Sequence, residues 1–287
     1  MALTDSGKLL VVEQNAFLDN FPDRHFCIRH HLAGHPLFQP ERLLKLAQNL
    51  PRHCIEFNAA YAEVSQNPHL TPSTGLGLEE TIRNIATSDS WVVLKYVEQD
   101  EAYRNLLFQC VRELTPLSET RTPGTHQLEA YIFLSSPGSV TPFHFDDEHN
   151  FLLQISGWKN FHAWRIDGAG AATQLDIEAY YQGAHRNLPI RPQAPQADQV
   201  FTLKPGDGLH VPVHSPHWVK NGDEVSISFS ITFRSKSLAR EVVIHRFNGA
   251  LRRMGLTPKP LGHSPFTDHL KFYLAKTGLS IKSRLSP

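Results

Sequence analysis

The chain has 287 residues, 28 Lys+Arg against 28 Asp+Glu, and a hydrophobic fraction of 40%. That length holds one large or two small domains with an ordinary globular core, and formal neutrality supplies no global pull toward nucleic acid or an anionic membrane. The cysteines Cys27, Cys54 and Cys110 are far apart and form no C-x-x-C, which argues against a disulfide scaffold or zinc ribbon and fits a reducing cytoplasm. The start of the chain lacks a basic segment followed by an apolar run, so no signal peptide is expected. No stretch of about 18 apolar residues suggests a membrane span.

Residues 1–125 read as a mixed α/β region. A short apolar run at 9–12 precedes a helix at 15–21 that ends at Pro22. Residues 40–50 form a clear helix, with Pro40 at its start and apolar positions at 43, 44, 46, 47 and 50. Residues 71–78 are a loop, 77–85 a helix, 91–97 a strand and 102–114 a helix. From about 126 the character changes. Strands are expected at 128–134, 140–146, 150–156, 160–165 and 209–213. The turns at 135–139, 157–159 and 205–208 are rich in Gly, Pro, Ser or Lys. Residues 183–199 are a proline-containing loop. Residues 225–233 alternate apolar and small polar side chains, the signature of a half-buried strand. Helices return in 238–254 and 266–276.

This pattern predicts a mainly β protein with flanking helices around a double-stranded β-helix, the jelly-roll or cupin architecture. Three regions are expected: 1–125 packing on the barrel, 126–236 as the core, and 237–287 as a C-terminal helical region.

Chemistry concentrates in Thr141-Pro-Phe-His144-Phe-Asp146 and in Gly208-Leu-His-Val-Pro-Val-His-Ser-Pro-His217-Trp-Val. An H-x-D on a strand puts an imidazole and a carboxylate on one side of the pleat. One more histidine from a distant strand completes two His and one carboxylate, a set that leaves coordination positions open and suits non-haem Fe(II) oxygenase chemistry. His144, Asp146 and His217 are the candidate metal ligands. His210 and His214 compete with His217, and His214 could instead face the entrance. Asp147 is expected to be a solvated turn or rim group, and His149 a rim or neighbouring residue. His30, His31, His35, His53, His69 and His126 show no metal spacing.

The segment from Pro205 to Val219 fits the pattern P-G-D-x-L-x-[IV]-P-x-x-x-x-H-x-V. With Thr-Pro-x-His-x-Asp it resembles the JmjC/cupin-like family of Fe(II)/2-oxoglutarate-dependent oxygenases, in its protein-hydroxylase branch. The resemblance covers about residues 128–234, and its frame from Pro212 to Val219 favours His217 as the second histidine. It implies Fe(II) and the cosubstrate 2-oxoglutarate. Lys159, fifteen residues after His144, and Thr141, three before it, would hold the distal carboxylate, with Asn150 also in the cosubstrate site. A buried dianion needs such charge and hydroxyl partners.

Tyr131 and Phe133 are candidate pocket walls. Ser228, Ser230 and Thr232 either line the pocket or form a solvated face. Trp158, Trp164 and Trp218 read as packing residues. The expected function is a dioxygenase hydroxylating a polypeptide or small molecule. An oxidative N-demethylase with the same centre and a non-catalytic metal- or ligand-binding cupin remain alternatives. No membrane or nucleic-acid partner is expected. Apolar positions in the C-terminal helices, among them Phe247, Leu251, Phe266 and Leu270, suggest a homodimer.

Overall fold

A computed structural model describes residues 7–60, 63–65, 72–165, 171–191 and 196–285. The expectations for the first six residues, for His69 and for Thr71 lie outside these. Twelve strands form two antiparallel sheets among the described residues. The chain enters with β1 (Leu10–Val11), α1 (Gln14–Asn20), β2 (Phe26–His30), α2 (Pro40–Asn49), β3 (Ile55–Ala59), α3 (Leu78–Arg83), β4 (Ser90–Lys95) and α4 (Glu101–Arg121).

The jelly roll follows. It comprises β5 (His126–Ser135), β6 (Val140–His144), β7 (His149–Ser156), β8 (Lys159–Ala163), α5 (Gln174–Tyr180), β9 (Gln199–Leu203), β10 (Asp207–Val211), β11 (His217–Asn221) and β12 (Ser226–Arg234). Two helices, α6 (Lys236–Arg253) and α7 (Pro265–Leu285), complete it. The major sheet has the order β1-β2-β10-β7-β12-β5-β4-β3, and the minor sheet β6-β11-β8-β9. From β5 onward the chain passes repeatedly between the two sheets, which makes a double-stranded β-helix.

Two apolar layers hold this arrangement. Leu152, Leu209 and Val211 of the major sheet meet Phe161, Leu203 and Val219 of the minor sheet and close the barrel. On its other face the major sheet packs Phe151, Leu153, Phe229 and Ile231 against Phe17, Leu43, Leu46 and Leu107 of the helices. The amphipathic stripe of α2 is buried at Leu43, Leu44, Leu46 and Ala47, and Pro40 opens the helix where a missing N–H costs nothing.

Several elements depart from the sequence expectations. Strands β2 and β3 were not anticipated; each is five residues long, with polar residues interleaved. Helix α5 was not anticipated either. It is seven residues long and starts at a capping box of Thr173 and Asp176. Helix α4 runs on past 114 to Arg121, through Pro116, and buries Ser118 in its extension. The strand expected to reach Asp146 ends at His144. The polar alternates of β12 are not solvated: Ser228, Ser230 and Thr232 are buried inside the barrel. No helix among the described residues is long and apolar enough to cross a membrane.

Candidate active site

The site begins with strand register. His217, the first residue of β11, stands directly opposite His144, the last residue of β6. Asp146 follows two residues later. Its Oδ1 lies 3.8 Å from His144 Nε2 and its Oδ2 3.8 Å from His217 Nε2. The two rings are 4.2 Å apart at their centroids. These three side chains alone, among the described residues, form a His/Cys/Asp/Glu group whose ligand atoms all lie within 4.8 Å of one another.

Hydrogen bonds set the tautomers. His144 Nδ1 lies 2.7 Å from the Pro142 carbonyl, and His217 Nδ1 2.9 Å from the Ser215 carbonyl. A carbonyl accepts, so Nδ1 carries the proton and Nε2 presents a lone pair. Burial pushes both imidazoles below their ordinary pKa, and their mutual proximity adds to the shift at His144. Burial alone would raise Asp146, but the Arg186 guanidinium and the Asn150 amide oppose it, and the carboxylate stays ionised. Two neutral nitrogen lone pairs and a carboxylate therefore converge with no proton between them. That donor set fits a divalent transition-metal cation and is costly without one.

The carboxylate is supported from behind. Asn150 Nδ2 donates to Asp146 Oδ2 at 3.4 Å, and Asn150 Oδ1 accepts from Ser230 Oγ at 2.8 Å. Asn150 thus touches the Asp146 side chain. Arg186 Nη1 donates to Asp146 Oδ1 at 2.9 Å. The main-chain carbonyl of Asp146 accepts from His214 N–H at 2.8 Å.

Deeper in the barrel lies Lys159. The turn Gly157–Lys159 delivers it to the first position of β8, where it pairs with Asn221 on one side and Leu203 on the other. Gly157 has φ +64, and a Cβ there would collide with the Val225 carbonyl. Lys159 is 6% exposed. Its Nζ donates to Ser228 Oγ at 2.7 Å, and Ser228 Oγ donates to Gln154 Oε1 at 2.7 Å. Burial lowers the Lys159 pKa from 10.5 to about 7. Beside it, Asn221 donates to Ser139 Oγ, while its buried Oδ1 has no partner.

Register also places the remaining candidates. Phe133 pairs with Ser228, Tyr131 with Ser230, and Glu129 with Thr232, so all six share the inner face of the major sheet. Tyr131 donates its hydroxyl to Glu129 at 2.8 Å, and Phe133 packs on the inter-sheet apolar layer. Thr141 is exposed on β6. Three residues would set it on the opposite face from His144, but a bulge intervenes. His217 pairs with His144 while Val219 pairs with Thr141, which returns Thr141 to the side of His144.

Other histidines have structural roles. His210 sits among Phe21, Phe26 and Phe151. His149 was expected at the rim but is buried against Phe21 and Phe233, because β7 starts at 149 and turns that side chain toward the helices. His214, open on sequence grounds to the entrance, is buried with Nε2 2.9 Å from the Tyr181 hydroxyl. Asp147 is not solvated: it is buried and ion-paired with Arg234 at 2.9 Å. Sequence reasoning missed Arg186, Gln154 and Asn221. None belongs to a local spacing pattern, and each is brought in by pairing between distant segments. A surface hollow of about 500 Å³ lined by Phe143, His162, Trp164, Val200 and Trp218 lies on the outer face of the minor sheet, away from the triad.

Comparison with known proteins bears on the fold. Residues 118–240 match the JmjC domain family. All three residues of the triad lie within that segment. The fold of the chain resembles that of ycfD from Escherichia coli, with 15% identity, a TM-score of 0.52, and coverage of 94% of this chain and 68% of that one. It also resembles YcfD, a ribosomal oxygenase from Escherichia coli, in complex with cobalt and 2-oxoglutarate, with 18% identity, a TM-score of 0.50, and coverage of 94% and 67%. At these identities the likeness is one of fold. No curated protein sequence matches the chain.

Proposed function

We propose that this protein is an Fe(II)- and 2-oxoglutarate-dependent dioxygenase that hydroxylates a polypeptide or small molecule. The observation that carries the reading is the convergence of two Nε2 lone pairs and the Asp146 carboxylate, with the buried ammonium of Lys159 on the same barrel interior. His144, Asp146 and His217 would hold Fe(II). The YcfD structure with cobalt and 2-oxoglutarate supports the cofactor assignment. When bound, the metal and cosubstrate supply the oxidant for a C–H bond, with 2-oxoglutarate converted to succinate and CO2.

The residues of this chain place and protect that chemistry. His144 and His217 are held in the ligating tautomer by the Pro142 and Ser215 carbonyls. Lys159 supplies the cation for the distal carboxylate of 2-oxoglutarate, with Thr141 as a hydroxyl donor and Asn221, through its amide, as a further polar group in the same region. Asn150 orients Asp146. Tyr131, Phe133, Ser230 and Thr232 line the barrel around them.

Anaerobic titration of the protein with Fe(II) and 2-oxoglutarate, followed by succinate release in air, tests the proposal. Binding of both with succinate formation is expected. Binding of metal without 2-oxoglutarate would instead mark a non-catalytic cupin. Formaldehyde release would mark N-demethylation.

We also propose a homodimer built on α7. In this helix the usual pattern is inverted: Asp268 and Lys271 are buried, while Phe266, Leu270, Tyr273 and Leu274 are exposed along one stripe. A second copy would cover that stripe. Light scattering at micromolar protein should give a dimer mass, and Leu270→Glu with Leu274→Glu should give a monomer. A monomeric wild type would refute it.

A further inference from the structure

Arg186 lies outside every motif that the sequence offers, yet its guanidinium reaches the centre of the site. It is carried by the connection between α5 and β9. Residues 186–188 run antiparallel beside the end of β6: Asn187 bridges His144, Leu188 N–H donates to the Phe143 carbonyl at 2.8 Å, and Phe145 N–H donates to the Arg186 carbonyl at 3.4 Å. The backbone on both sides of the His-x-Asp triplet is therefore tied to the backbone around Arg186. From that anchorage Nη1 donates to Asp146 Oδ1 at 2.9 Å.

The two oxygens of Asp146 are held unequally. Oδ1 takes a charge-assisted bond from Arg186 at 2.9 Å, whereas Oδ2 takes a neutral amide at 3.4 Å. Charge-assisted bonds are the stronger class, and 3.4 Å is beyond the usual N–H···O range. Oδ2 is thus the oxygen more easily given up to a cation.

We propose that Arg186 is a positioning residue that keeps Asp146 a one-oxygen metal ligand. A carboxylate free to swing can bind a cation through both oxygens and fill a second position. Two histidines and a single oxygen leave three positions of an octahedral ion, enough for a two-point chelating cosubstrate and dioxygen. Two oxygens from Asp146 would leave two. Arg186 occupies Oδ1 and so preserves the position that the cosubstrate needs. Its own positive charge works against metal affinity, so its effects on metal and on cosubstrate have opposite signs. A residue that merely braced the loop would help both.

The proposal rests on the Fe(II)/2-oxoglutarate reading, and two measurements keep the failures separate. The first uses Co(II) alone on the full chain, comparing wild type with Arg186→Met and Arg186→Lys. The visible absorption of Co(II), which reports coordination, is expected to change in Arg186→Met and to return toward wild type in Arg186→Lys. Co(II) affinity is expected to be tighter in Arg186→Met. The second adds 2-oxoglutarate to the anaerobic Fe(II) protein. Its affinity should fall roughly 10- to 100-fold in Arg186→Met, with partial recovery in Arg186→Lys. An unchanged Co(II) spectrum in Arg186→Met overturns the proposal. So does joint loss of metal and 2-oxoglutarate binding in a variant with wild-type circular dichroism. Should Arg186→Met not fold, Arg186→Gln carries the same comparison. If wild type binds Co(II) but no 2-oxoglutarate, the functional reading fails, and the Co(II) comparison still decides the role of Arg186.

Discussion

Replacing Lys159 by Met separates stability from cosubstrate binding, because the same charge should act on the two in opposite directions. Among the described residues Lys159 has no carboxylate partner; its Nζ donates to a serine hydroxyl, and burial lowers its pKa from 10.5 to about 7. In the absence of cosubstrate, burying this ammonium opposes folding. Each pKa unit corresponds to about 1.4 kcal/mol, so the penalty is on the order of 5 kcal/mol as an upper bound. The sign follows from proton counts. Between about pH 7 and 10.5 the unfolded chain holds a proton on this lysine that the folded chain has released, so stability rises with pH across that window and the full penalty applies below it.

Met fills similar volume without charge. Ser228 keeps its bond to Gln154, so the substitution leaves the Ser228 hydroxyl proton satisfied. The cosubstrate-free variant should therefore melt higher than wild type at pH 7, and the pH dependence from this group should vanish. Binding of 2-oxoglutarate should weaken by about 2–5 kcal/mol, the cost of leaving a buried charge unpaired. That is a loss of roughly 30- to several-thousand-fold in affinity. Thermal melts between pH 6 and 10 and calorimetric titration of the anaerobic metal-loaded protein measure both effects. A Lys159→Met protein that is less stable than wild type, or that binds 2-oxoglutarate as tightly, would refute the reasoning.

Three further outcomes are expected. His144→Ala and His217→Ala should each abolish most Fe(II) binding by equilibrium dialysis while leaving the fold intact. His214→Ala should do less, because His214 bonds Tyr181 rather than facing the triad. Acid should destabilise the metal-free protein from about pH 6.5 downward: burial holds His25, His149, His210, His214 and His245 neutral in the fold, whereas the unfolded chain gains their protons. A melting temperature that stays flat from pH 7 to 5 would contradict this. Gly157→Ala forces a Cβ into the Val225 carbonyl at a positive φ and should cost about 1–3 kcal/mol in urea unfolding, reducing 2-oxoglutarate binding through the displaced Lys159 turn.

Local spacing made a large part of the candidate site legible. The triplet His144-Phe-Asp146 and the frame from Pro212 to Val219 are short-range patterns, and the chain itself sets the distance between their members. Glycine-containing turns marked where β5, β7 and β9 end and where β6, β8 and β10 begin. The same local reasoning gave a wrong end to β6. Asp146 reaches its place from beyond the strand, where the loop is tied to His214 and to Arg186, rather than by pleat alternation alone.

Alternation says which residues share a face of a strand; it does not say which face looks inward. In β12 the serines and Thr232 alternate with Ile and Phe, and the sequence by itself establishes that separation. Only closure of the second sheet over the first puts the polar row inside, where Ser228 meets Lys159, and the apolar row under the helices. The same holds for the histidines. Their chemical type is written in the chain, but His149 and His210 pack among phenylalanines while His144 and His217 face a carboxylate, because burial and partners are set by pairing between distant strands. Arg186 depends most on the tertiary structure: forty residues separate it from Asp146, and only the pairing of its loop with the end of β6 brings the guanidinium to the carboxylate.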